Sequence, residues 1–232
     1  MADLVLEVSG LSKRFGKKTA VNGIDFQIEK GQVFGLLGPN GSGKTTTLSM
    51  ILGLIHPDAG EIKVFNSHDL VSALKRLGVL LESASYYPEL SAVQNLKISC
   101  KIKGVDFSEI DAALDKVGLT EDKKYKVKSF SLGMKQRLNV ASALLNQPEL
   151  LIFDEPTNGL DPQGIADMRK LLIELRESGK TILIASHLLQ EMEKICSHVA
   201  IIKSGKILQN GAIKSLTEGH QNLEDYFLKI TA

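Results

Sequence analysis

Nine consecutive residues carry the densest chemistry in the chain: Gly38, Pro39, Asn40, Gly41, Ser42, Gly43, Lys44, Thr45 and Thr46. They match the phosphate-loop spacing G-x-x-x-x-G-K-[ST] at every fixed position. Gly38, Gly41 and Gly43 have no Cβ, so the backbone can take unusual dihedrals and approach a ligand closely. A run of N–H groups then faces one concavity and binds phosphate oxygens. The helix that starts there adds free N–H groups and a dipole that favours an anion. Lys44 supplies a mobile point charge for β- and γ-phosphates, and Thr45 offers a hydroxyl to Mg²⁺. The bland alternative is a glycine-rich turn that binds nothing.

Other residues extend this chemistry. The apolar run at 150–153 ends in two carboxylates, Asp154 and Glu155. A parallel strand beside the phosphate loop would place both at its C-terminal edge, where ligands bind in such sheets. Asp154 then holds Mg²⁺, directly or through water, and Glu155 polarises the water that attacks a γ-phosphate. His187 follows Ser186 and the apolar run 182–185, expected parallel to the Asp154 strand, which brings its ring toward the γ-phosphate edge. The other histidines, His56, His68, His198 and His220, have no comparable setting and read as surface or structural. Ser131 is a good N-cap for a helix carrying Leu138, Ala141, Leu144 and Leu145. Gly133 in its first turn gives up helix propensity, and together they suit a second phosphate contact. From an inserted lobe this stretch cannot easily face its own phosphate loop, which points to a site completed by another chain. Phe15 sits in a turn, either as a core anchor or as a ring that stacks on a base.

The elements that must position these residues follow from pattern. Residues 32–37 are an apolar run suited to a buried strand, and Leu48, Ile51, Leu52 and Ile55 follow at helical spacing. Before them, Leu4, Leu6 and Val8 alternate, as do Ile24, Phe26 and Ile28, giving two strands. Residues 61–65 and 78–81 read as further strands. Residues 88–146 change character: Leu96, Ile98 and Ile102, then Ile110, Leu114 and Val117, mark apolar stripes, with breaks at Gly104 and Gly118. Strands resume at 150–153 and 181–185. Asp161 is a natural N-cap and Pro162 a first helical residue for a helix to about Ser178. A short helix is expected over 188–196, a hairpin over 199–209 and an amphipathic tail helix from Gln221.

Composition bounds the class. The chain has 232 residues, 43% of them hydrophobic, enough for one large α/β domain with an inserted lobe. A net charge of +1 gives no hint of a nucleic-acid surface. No apolar run approaches the roughly 20 residues a membrane span requires, and residues 1–7 lack a signal-peptide pattern. Cys100 and Cys196 have no CxxC spacing and read as buried thiols in a reducing cytosol. A membrane role is therefore expected through a partner.

The order of phosphate loop, Ser131-to-Met134 helix start, Asp154 with Glu155, the run Asn158, Gly159, Leu160, Asp161, and then His187 resembles the nucleotide-binding subunit of ABC transporters over nearly the whole chain. The resemblance implies an α/β fold: a P-loop NTPase core with a mixed, mainly parallel sheet and helices on both faces, an N-terminal antiparallel β subdomain and an inserted α-helical lobe. It implies one domain over 1–232, with core segments 1–82 and 147–215, a lobe at 83–146 and a tail at 216–232. It implies a head-to-tail dimer, of two copies or of this chain with a paralogue, enclosing two ATP molecules with Mg²⁺. Phe15 then stacks on adenine, Asp161 is the dimer-contact aspartate and His187 the switch histidine. Two departures stand out. The family signature is usually Leu-Ser-Gly-Gly-Gln, whereas Phe130, Ser131, Leu132, Gly133 and Met134 stand here. The family's glutamine before the lobe falls on Glu82, where a carboxylate binds Mg²⁺ or water but adds negative charge beside the triphosphate. Residues 78–83, followed by Tyr86, Tyr87 and Pro88, look like bacitracin-type and multidrug exporter ATPases of bacteria. The expected role is ATP hydrolysis at the cytoplasmic face of the membrane, driving a separate permease, with no nucleic-acid partner. The alternative is a non-transport ABC ATPase of translation or DNA maintenance. One cassette, with no sustained heptads in the roughly 85 residues before the signature, disfavours it.

Overall fold

The computed structural model describes residues 3–81 and 86–231. Its frame is a six-stranded sheet. Side by side lie β5 (Leu77–Leu80), β6 (Leu150–Asp154), β7 (Thr181–Ser186), β3 (Val33–Leu37), β8 (His198–Lys203) and β9 (Lys206–Ala212). All neighbours are parallel except β8 and β9, which form a hairpin. Every residue of β3, β6 and β7 is buried, which is why these strands read as continuous apolar runs.

Alternate residues of each strand feed two apolar layers. Val33, Leu37, Leu151, Phe153, Ile182 and Ile184 face one layer. It is built with α3 (Ala92–Lys103), α4 (Glu109–Lys116), α5 (Leu132–Leu144), α6 (Pro162–Glu177), α7 (Leu189–Ile195) and α9 (Leu223–Thr231). Phe34, Leu36, Leu150, Ile152, Leu183 and Ala185 face the other. There they meet α1 (Lys44–Ile51) and a three-stranded antiparallel sheet, β2 (Lys18–Glu29), β1 (Leu4–Phe15) and β4 (Ala59–Val64). The expected α/β class, with a mainly parallel sheet, helices on both faces and an antiparallel N-terminal sheet, is therefore present. Helices α3 to α5 lie between β5 and β6 in the chain.

Several expectations need correction. The Asp154 strand is not beside the phosphate-loop strand, because β7 lies between β6 and β3. The apolar stripe of α3 is Ala92, Leu96 and Cys100, at four-residue spacing, while Ile102 is 81% exposed. Leu96 and Ile98 lie about 200° apart around a helix and cannot share a face. Helix α1 stops at Ile51, short of Ile55, where Gly53 turns the chain at φ 68°. Two short helices, α2 (Leu70–Leu74) and α8 (Ile213–Leu216), escaped notice in the sequence because neither is long enough to show a period. Both cysteines are buried in the helical layer, and burial pushes the Cys196 thiol up to about 12.

Candidate nucleotide site

Three elements end at one place because of the sheet order. The loop 38–43 leaves β3, Glu155 leaves β6 and His187 leaves β7, all at the C-terminal edge of the parallel strands. The loop is held from below. A Cβ on Gly38 would stand 2.1 Å from the Ile202 carbonyl oxygen of β8, so no larger residue fits. Gly43, at φ 115°, would drive a Cβ to 2.6 Å from the Ala20 carbonyl oxygen. Gly43 is also the N-cap of α1, and no side chain caps that helix. The first N–H groups of α1 are left to whatever fills the loop, which suits an anion.

Lys44 is not the mobile cation expected from sequence. It is 5% exposed, and its Nζ donates to the Gly38 carbonyl at 2.8 Å and to the Pro39 carbonyl at 3.3 Å. Nζ also lies 3.4 Å from Glu155 Oε1, within an ion pair whose members are both buried. The other carboxylate oxygen, Oε2, accepts from His187 Nδ1 at 2.9 Å and from Ser186 Oγ at 3.3 Å. Glu155 holds a positive φ of 50°, sparsely populated for a residue with a side chain, and backbone bonds fix it there. Its N–H donates to Ala185 O at 2.9 Å, and Asn158 N–H donates to Glu155 O at 3.0 Å. Asp154, one residue earlier, is 1% exposed.

A cavity of about 440 Å³ opens over this cluster. Asn40, Gly41, Gly43, Lys44, Thr45, Thr46, Glu155 and His187 line it, as expected. Phe15 lines it too, at the tip of the β1–β2 hairpin and 51% exposed, so it is not a core anchor. Lys18, Ala20 and Asn158 complete the wall; Asn158 belongs to the run 158–161 noted in the sequence, while Lys18 and Ala20 were not singled out. Lys18 pairs directly with Phe15 across the hairpin, a register that no motif in the sequence announces. Pro39 and Ser42 shape the loop from outside the cavity: Ser42 is buried and its N–H donates to Pro39 O at 3.2 Å.

Ser131, Gly133 and Asp161 lie elsewhere. They line a second cavity of about 370 Å³, together with Leu132, Gly159 and Leu160. Ser131 Oγ accepts from Met134 N–H at 3.2 Å and so caps α5. Asp161 Oδ1 accepts from Gly164 N–H at 2.9 Å and caps α6. One chain therefore separates the signature residues from its own phosphate loop. Glu82 lies outside the described residues.

The oxygens expected to meet a cation are the Thr45 hydroxyl, in the cavity wall, and the Asp154 carboxylate, buried at the end of β6. The described residues contain no cluster of three or more His, Cys, Asp or Glu that could hold a metal alone. A hard ion that keeps water and shares phosphate oxygens, as Mg²⁺ does, fits such a sparse oxygen set.

Comparison with known proteins adds three findings. A family model described as ABC transporter matches residues 21–158. The chain is 45% identical over 210 residues to the bacitracin transport ATP-binding protein BcrA of Bacillus licheniformis, covering 88% of this chain and 69% of that protein. It is 41% identical over 224 residues to the lantibiotic transport ATP-binding protein SrtF of Streptococcus pyogenes, covering 96% of each. Among solved structures, an ATP binding subunit of an ABC transporter matches with a TM-score of 0.86 at 26% identity, over 98% of this chain and all of that one.

Proposed function

The chain belongs to the ABC transporter family, and from that premise we propose that it is the ATP-binding and ATP-hydrolysing subunit of an exporter for antibiotic- or peptide-like substrates. The observation that carries this is the gathering of the phosphate loop, Glu155 and His187 around one cavity. Relatives named for bacitracin and lantibiotic transport support the cargo class and count against a role in translation or DNA maintenance. No helix among the described residues is long and apolar enough to cross a membrane. On the likeness to relatives named as transport ATP-binding proteins, the membrane passage is assigned to a separate permease, with this subunit docked at its cytoplasmic face. The core, lobe and tail divisions given above belong to the same proposal.

Each residue has a task. The loop N–H groups and Lys44 bind the phosphates, and Phe15 offers its open ring to adenine. Glu155 takes a proton from water as that water's oxygen attacks the γ-phosphorus, and the bond to the β–γ bridging oxygen breaks. His187 orients the carboxylate and the γ-phosphate edge. Thr45 and Asp154 would hold Mg²⁺, which neutralises charge on the phosphates when bound. Ser131, Gly133 and Asp161 serve the opposite protomer in a head-to-tail dimer, since they open on a different cavity from Lys44.

Mixing two defective proteins tests this. A Lys44→Ala protomer and a Ser131→Arg protomer are each expected to be inactive alone. Mixed, they form dimers in which one site has both defects and the other has neither, so ATP turnover returns. If each chain used its own Ser131, every site would stay defective and no activity would return.

A further inference from the structure

Two arms leave the catalytic corner and are tied together again beyond it. Strands β6 and β7 are parallel neighbours, with Asp154 in register with Ala185. Glu155 begins the segment that leads to α6, and His187 stands two residues before α7. Arg169 and Arg176, seven residues apart on α6 and so on one face, both reach α7. Arg169 Nη1 donates to Glu191 Oε1 at 2.9 Å and Oε2 at 2.8 Å, in the first turn of α7. Arg176 Nη1 donates to Ile195 O at 3.1 Å, at the last residue of α7. Glu191 is largely shielded, with Lys194 as a further partner at 3.2 Å.

Met192 and Ile195 bury one face of α7 in the core. The polar ties from α6 add directional contacts near both of its ends. The start of α7 is in turn joined to the site: Leu188 N–H donates to Ser186 Oγ at 3.1 Å, and that hydroxyl donates to Glu155 Oε2. Resting on the role of His187 proposed above, we infer that Arg169, Arg176 and Glu191 are positioning residues, which clamp α7 along α6 and thereby hold His187 against Glu155. Misplacing a catalytic group by about 1 Å costs on the order of 100-fold in rate, so loosening one tie is expected to cost on the order of tenfold.

A double-mutant cycle on the full chain tests the clamp, with single-turnover ATP hydrolysis as readout and thermal unfolding recorded for every variant. Arg169→Met and Arg176→Met should each lower the rate about tenfold with His187 in place, and change it less than twofold in a His187→Ala background. Arg169→Lys, which keeps charge and stem, should recover part of the rate and serves if Arg169→Met folds poorly. Equal fold-losses in both backgrounds would mean a general structural role and overturn the clamp, while leaving the function of His187 intact. A His187→Ala protein with the parental rate would instead overturn the role of His187 itself, and the clamp with it.

Discussion

Lys44 Nζ and Glu155 Oε1 face each other at 3.4 Å, both buried. The residue that should grip the phosphates and the residue that should activate water thus neutralise one another in a single pocket. A triphosphate in the loop would compete with Glu155 for that cation, and the carboxylate would keep His187 Nδ1, now at 2.9 Å, as a partner.

Removing Lys44 should therefore cost stability as well as binding. Lys44→Met leaves a buried carboxylate without its cation, worth about 3 kcal/mol, or a fall of roughly 10 °C in Tm for a chain of this size. Adding Glu155→Gln to that variant should return much of the lost Tm. Calorimetric scans of the two singles and the double decide it: a double no more stable than Lys44→Met would show that the pair is not coupled.

Glu155→Gln alone should retain MgATP and lose turnover by about 100-fold or more. With ATP it should accumulate as a dimer in light scattering. Hydrolysis at the parental rate would remove Glu155 from the role of base.

Phe15→Ala should weaken ATP binding by about 1–3 kcal/mol, the usual worth of a base stacked on an aromatic ring. Because the ring is half exposed and its recorded ring contact is Lys13 Nζ at 5.8 Å, Tm should move little. Titration calorimetry beside a melting curve separates the two effects.

The Arg76–Glu149 pair gives a pH dependence away from the site. Arg76 Nε and Nη2 donate to the two Glu149 oxygens at 2.7 and 2.9 Å, joining the residue before β5 to the residue before β6. The guanidinium holds the Glu149 carboxyl below the ordinary value of 4.5. A depressed folded-state pKa stabilises the fold above the unfolded value, and that contribution disappears as pH falls through the folded one. Arg76→Met should therefore melt below the parent at pH 7. The gap should narrow once the pH is well under 4.5, in a series of melts across pH, leaving the pH-independent loss of the Arg76 guanidinium over the Phe65 ring, 3.6 Å from its centre.

Much of this was legible because the chemistry is local. The phosphate loop is a continuous run, and the burial of β3, β6 and β7 on both faces leaves unbroken apolar runs that announce strands. Asp161 and Pro162 fixed the start of α6 to the residue. What spacing could not carry was pairing across the chain. Nothing in residues 150–155 says that β7 intervenes between them and β3. The Lys44–Glu155 contact likewise depends on strand order, not on either motif. In α3, counting apolar residues without rotating them favoured Ile98 and Ile102 over Ala92 and Cys100. Lys18 required the hairpin register, and α2 and α8 are too short for any periodicity to emerge.

The depth of Cys100 and Cys196 has a practical consequence. With both sulfur atoms sealed in one apolar layer, a maleimide reagent labels only molecules that have opened, so the labelling rate is a clock for unfolding. A ligand that binds the folded chain alone must slow that clock by mass action. Nucleotide preference can then be ranked by counting modified thiols, without watching a single phosphate leave.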